Sequence, residues 1–131
     1  MLIGGVENLY TLTWINMKRI SEKKRRINAR IGAIKKDKIE RMGACLISKR
    51  WDMLQAAHII RQSESIRLQD DPRNIILLNH YTHEKFDGGR FKDLYEAYPY
   101  KCKAIIERMR SLDPYYTNRF LRNNSMEDLI C

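Results

Sequence analysis

Three stretches decide the fold: Ala56-Ala57-His58-Ile59-Ile60, then Asp70-Asp71-Pro72-Arg73-Asn74-Ile75-Ile76-Leu77-Leu78, then His83-Glu84-Lys85-Phe86-Asp87. Apolar residues surround His58, an apolar run follows Asn74, and nine positions separate Asn74 from His83. The periodicity of Met53 to Ile60 allows either a strand or a helix. Arg61 to Arg73 reads as a polar loop, because Pro72 disfavours helix at Asp71. Ile75 to Leu78 is a short apolar stretch that anchors a helix over residues 79–87, which Gly88-Gly89 stops.

The rest of the chain reads around this centre. Residues 15–42 predict a long charged helix, with Ile20, Ile27, Ile31, Ile34 and Ile39 as a thin apolar stripe. Gly32 predicts a kink or break in its middle, and Gly43 a stop. Downstream, Phe91 to Ala97 predicts a short helix. Pro99 opens another up to Leu112, with Cys102, Ile105, Ile106 and Met109 as its apolar face. Asp113-Pro114 opens a third through about Leu121, and Asn123-Asn124-Ser125 marks a break. The Met1 to Met17 segment is apolar and lacks the charged opening of a signal peptide. Its Leu2, Val6, Leu9, Leu12 and Trp14 suit packing on the core or on a partner helix.

The chain has 131 residues, a formal charge of +9 and a pI of about 9.6. That size suits one domain with a modest core and appended helices. The balance points to a polyanionic partner, nucleic acid or an anionic membrane surface. Residues 1–44 hold eleven Lys and Arg against four acids, so the excess is local. No apolar run of about 18 residues supports a membrane span. Cys45, Cys102 and Cys131 are odd in number and widely spaced. A disulfide scaffold is therefore not expected and a reducing cytosol is the simpler reading.

The order His58, Asn74, His83 in this setting resembles the HNH (His-Me finger, ββα-metal) endonuclease family. The Ala57-His58-Ile59 version of the motif is similar to phage recombination nucleases of the NinG and Ref kind. The resemblance covers residues 45–90. It implies an α+β fold, a ββα-metal core at 45–90, a basic helical arm at 1–44 and a C-terminal helical extension at 91–131 packed on the core. It also implies a β-hairpin, with Cys45-Leu46-Ile47 as one strand, Lys49 to Asp52 as the turn, and Met53 to Ile60 as the strand ending at His58.

The resemblance further implies chemistry. Phosphodiester hydrolysis needs an activated water, stabilisation of added negative charge and help for the leaving oxygen. Imidazole suits the first task because it titrates near neutrality, and a divalent metal suits the other two. On the family pattern His58 is the general base, Asn74 fixes the loop geometry or binds metal, and His83 is a metal ligand. Asp87, four residues on, shares its helix face. Magnesium is the expected ion, with manganese, nickel or zinc as alternatives. Many members carry Asp or His where this chain has Ala57, so His80 or Asn74 is the candidate third ligand. Many members also carry two CxxC pairs on a structural zinc. The equivalent positions here are Cys45, Ser48, Asn79 and Thr82, so no structural zinc is expected and packing must hold the hairpin and helix.

DNA is the expected partner, and a single small site needs a dimer or two visits to break a duplex. Arg61, Arg67, Arg73, Lys85 and Arg90 flank the motif as contacts near the scissile phosphate, and Lys23, Lys24, Arg25, Arg26 and Arg30 on the arm as backbone contacts. A bacterial or phage-infected cytoplasm is expected by analogy. The plainer alternatives are a structural His58, a capping Asn74, and a solvated basic helix. Two other functions follow from these: a basic nucleic-acid-binding protein on a degenerate nuclease scaffold, or an interaction protein using its Tyr-rich C-terminal helices.

Overall fold

The computed structural model describes the backbone of residues 2–131 and the side chains from Glu22 onward. Element order is α1 (Leu2–Arg41), β1 (Leu54–His58), β2 (Ile75–Asn79), α2 (His80–Asp87), α3 (Phe91–Ala97), α4 (Pro99–Leu112) and α5 (Pro114–Asn123). Single 3₁₀ turns occupy Pro72–Asn74 and Glu127–Leu129. The α+β class holds. The packing role read into Leu2, Val6, Leu9, Leu12 and Trp14, and the side chains of Lys18, Arg19 and Ile20, lie outside the described residues.

The helix α1 runs unbroken through Gly32, so the expected kink is not there. One glycine costs a helix only about 1 kcal/mol, and the part of α1 around Gly32 docks on the rest of the protein. Ile27, Ile31, Ile34 and Lys38 are half-buried on the face turned to the two-stranded sheet, whereas Ile39 is exposed. Lys38 Nζ donates to the carbonyl oxygens of Pro72 (2.9 Å) and Ile75, and Arg30 pairs with Asp70. Burial and the nearby Arg108 cation lower the Lys38 pKa below the ordinary lysine value. Gly43 ends this region at a φ of 62°, where a side chain would be strained.

The strand pairing corrects the sequence reading. β1 pairs antiparallel with β2, from Leu54↔Asn79 to His58↔Ile75, and the Cys45–Ile47 stretch is not a strand. That stretch enters a tight turn with positive φ at Lys49 and Met53. Its one ladder-like bond is Leu46 N–H to the Leu77 carbonyl, 2.8 Å. Ile75 to Leu78 are all buried and take the place of partner to β1 instead. Ile59 and Ile60, expected in β1, leave the ladder because Asn74 captures their backbone groups.

Hydrogen bonds stitch the Cys45–Met53 turn to the β2–α2 junction. Asn79 Nδ2 donates to the Asp52 carbonyl (2.7 Å), its Oδ1 accepts from Tyr81 N–H (3.0 Å), and His80 N–H donates to the Met53 carbonyl (3.0 Å). Cys45, Asn79 and Thr82 are buried there. Burial pushes the Cys45 thiol up, but hydrogen bonds from Ser48, Asn79 and Ile47 outweigh it and lower its pKa.

The C-terminal helices start and stop where Pro99, Asp113-Pro114 and Asn123-Asn124 say they should. Asp113 caps α5 through Tyr116 N–H at 3.0 Å. One buried cluster runs from Cys45 to Met126 and includes Ala57, Ile76, Phe86, Phe91, Ile105 and Leu121. Phe91 meets Phe86 and Phe120 at ring separations of 5.5 and 5.0 Å, which joins α2 to α3 and α5. Among the described residues no helix is long and apolar enough to cross a membrane.

Candidate active site

β1 ends at His58, and the loop that follows turns back to hold the ring. His58 Nε2 lies 2.7 Å from the Gln69 carbonyl oxygen. A carbonyl can only accept, so Nε2 carries the proton and Nδ1 carries the lone pair. The loop itself is tied by Asn74, whose side chain is fully buried. Its Oδ1 accepts from Ile60 N–H (2.7 Å), and its Nδ2 donates to the carbonyls of Ile60 (2.9 Å) and Leu68 (3.0 Å). Every polar atom of Asn74 is therefore engaged, and its buried side chain does not line the cleft at His58. A chain of contacts runs from Asn74 through Leu68 to Gln69, and from Gln69 to the His58 ring.

The helix α2 supplies the facing wall. Asn79 caps its start. At its end a Cβ on Gly88 would sit 2.6 Å from the Glu84 carbonyl, so only glycine fits without a shift. Two imidazole–carboxylate pairs lie along the helix: His80 Nε2 to Glu84 Oε1 at 3.0 Å, and His83 Nε2 to Asp87 Oδ2 at 2.8 Å. Gln55, on β1, joins them. Its Oε1 is 2.8 Å from His83 Nδ1 and its Nε2 is 3.1 Å from His80 Nδ1.

This bridge has an electrostatic consequence. An amide has one donating and one accepting end. With Oε1 on His83, Nδ1 of that ring carries the proton, and the bare Nε2 lone pair faces the Asp87 carboxylate. Turning the amide over moves the same conflict to His80 and Glu84. A neutral pair of rings thus always leaves one lone pair against an anion. A proton or a metal ion between them removes the clash. The donor set, imidazole nitrogen with carboxylate oxygen, would suit a divalent ion.

His58, His83 and Asp87 line one open cleft of about 430 Å³, with Arg61 at its edge and Asn28 and Ile31 of α1 across it. Arg61 also donates to the Asp87 carbonyl at 2.7 Å. His80 does not line the cleft; it is spent on Gln55 and Glu84. Ala57 is fully buried in the core, and among the described residues no three His, Cys, Asp or Glu side chains group as a metal site. Of the flanking cations, Arg73 pairs with Asp71 (2.7 Å) and Arg90 with Asp93 (3.0 Å), and neither lines the cleft. Arg67 is exposed and Lys85 half-buried, and they too stand off the lining. Lys23, Lys24, Arg25 and Arg26 are exposed on α1.

Sequence reasoning missed Gln55, the Gln69 carbonyl, and the α1 wall. Gln55 sits three positions before His58 with no motif of its own. The other two depend on backbone position and long-range docking, which residue types do not encode.

Residues 45–92 match the family model described as HNH endonuclease. The match covers the β1–loop–β2–α2 unit and leaves out α1, α4, α5 and most of α3. A two-stranded antiparallel sheet followed by a helix is compatible with the ββα core of that family. No curated protein and no solved structure matches the chain.

Proposed function

We propose that the protein is a metal-dependent HNH endonuclease that hydrolyses phosphodiester bonds in DNA. The observation that carries this reading is the single cleft lined by His58, His83 and Asp87 within the family-matched segment. His58 takes the proton of an attacking water at Nδ1, the nitrogen left bare by its bond to Gln69. Asn74 holds that geometry as a positioning residue. His83 and Asp87 hold the metal, and Arg61 at the cleft edge binds a phosphate oxygen. A divalent ion, magnesium in the first instance, supplies Lewis acidity toward the phosphate and the leaving O3′. The exposed cations of α1 hold the DNA backbone at a distance from the chemistry. The Ala57-His58-Ile59 form supports kinship with the NinG and Ref nucleases of phage, and hence a cytoplasmic setting.

The test is supercoiled plasmid incubated with magnesium, manganese, nickel or EDTA. Nicking or linearisation that needs metal is the expected result. Cutting in EDTA would sink the metal mechanism. Binding without cutting in every metal would favour the second reading, a nucleic-acid-binding protein on a degenerate scaffold. The buried Ala57 and, among the described residues, the lack of a three-ligand group are the observations on its side.

The arm makes a separate prediction. Each cation that neutralises a phosphate adds about 0.9 to the slope of log affinity against log salt. Replacing Lys23, Lys24, Arg25 and Arg26 with Gln is expected to weaken plasmid binding and flatten that slope by roughly 2–4. Cleavage at saturating DNA should stay near wild type. An unchanged slope would return α1 to a solvated helix.

A further inference from the structure

We infer that Gln55 is the positioning residue for the metal-binding face of α2, a role that rests on the nuclease reading above. Its side chain reaches from β1 to both imidazoles of the helix, with 2.8 Å to His83 Nδ1 and 3.1 Å to His80 Nδ1. Both contacts are to Nδ1, so both rings turn Nε2 toward a carboxylate. A histidine that binds a metal through one nitrogen needs the other nitrogen held, which sets the tautomer and the ring orientation. Gln55 Oε1 does this for His83 by accepting a hydrogen bond from Nδ1–H, which leaves the Nε2 lone pair free for a metal beside Asp87 Oδ2.

The bridge also assigns His80 a different part. His80 Nδ1 accepts from Gln55 Nε2, and His80 Nε2–H then donates to Glu84 Oε1. This pairing fixes which end of the amide faces His83. His80 and Glu84 therefore act as the anchor of Gln55, and Gln55 acts on His83. The helix supplies anchor and ligand, and β1 supplies the bridge between them.

The test is titration of manganese or nickel into the full chain without nucleic acid, followed calorimetrically. Melting in EDTA and plasmid affinity in EDTA serve as controls for the fold and for DNA binding. Gln55→Met keeps the length and removes both polar ends; metal affinity is expected to fall about 10–100-fold, the usual cost of losing such a partner. Gln55→Glu still accepts from His83 Nδ1 and is expected to stay within about threefold of wild type or bind more tightly. His80→Ala is expected to weaken metal binding less than His83→Ala does.

Wild-type affinity in Gln55→Met would overturn the inference, and so would equal losses in Gln55→Met and Gln55→Glu. Equal losses in His80→Ala and His83→Ala would make His80 a ligand and overturn the anchor role. If wild type binds neither ion in the absence of DNA and its plasmid cutting survives EDTA, the metal mechanism falls, and the positioning role with it. If metal binding is normal in Gln55→Met while cutting still needs metal, only the inference about Gln55 fails.

Discussion

His58→Ala is expected to lower the rate of metal-dependent plasmid nicking by about 10²–10⁴-fold, the usual contribution of a positioned general base. The expectation follows from the one bond that His58 makes within the protein. Because the Gln69 carbonyl can only accept, the ring proton is pinned to Nε2, and Nδ1 is the nitrogen able to take a proton from water. Alanine removes that nitrogen and the single bond to the part-buried Gln69 carbonyl. His58 is half-buried at the end of β1, its backbone pairs with Ile75, and neither feature depends on the imidazole. Melting temperature and plasmid affinity in EDTA should therefore move little, while turnover at saturating DNA collapses. A fall in DNA affinity with an unchanged turnover would make His58 a phosphate contact. Nicking at the wild-type rate would remove it from the chemistry altogether.

The order of the motif was legible in the sequence, but the partner of β1 was not. His58 and Asn74 stand out because each interrupts or borders an apolar run, and His83 by its spacing from Asn74. The C-terminal helices were legible for a local reason too, since Pro99 and Asp113-Pro114 are helix-start signals that act within one turn. Strand pairing is different, because it joins residues about 20 positions apart and depends on which apolar run is more completely buried. Cys45-Leu46-Ile47 and Ile75-Ile76-Leu77-Leu78 look alike in composition. The second wins because it is longer and runs directly into the Asn79 cap, whereas the first must turn sharply at Lys49. Gln55 was illegible for a related reason. A polar residue in a half-buried strand reads as solvent-facing until the helix that lies over it is known.

The α1 helix shows how much a composition-based reading leaves open. Eleven cations made it a backbone-binding arm, and its exposed residues 23–26 still suit that role. Its other face, Ile27, Ile31, Ile34 and Lys38, turns to the sheet, and Ile31 together with Asn28 lines the cleft. Arg30 and Lys38, read as part of a uniform charge run, are tied to Asp70 and to the Pro72 and Ile75 carbonyls. A charge run can thus bind its own protein on one side and remain open to a polyanion on the other.

Asn74→Ala is expected to destabilise the fold by about 3 kcal/mol or more, and to lower the melting temperature by roughly 10 °C. Three buried backbone groups depend on that one amide: Ile60 N–H, the Ile60 carbonyl and the Leu68 carbonyl. Each left without a partner costs on the order of 1–3 kcal/mol. Asn74→Asp separates the amide's two functions. A carboxylate can still accept from Ile60 N–H but cannot donate to either carbonyl, and it brings a charge into a fully buried position. It should therefore be at least as damaging as alanine, although it is nearly the same shape. If Asp were instead tolerated and metal affinity rose, Asn74 would be a metal ligand and the loop-positioning role would be wrong. At temperatures where both variants remain folded, turnover should still fall, because Asn74 holds the Leu68 carbonyl and the next residue, Gln69, carries the carbonyl that orients His58. A variant that melts within about 2 °C of wild type, yet loses turnover, would place Asn74 in the chemistry rather than in the scaffold.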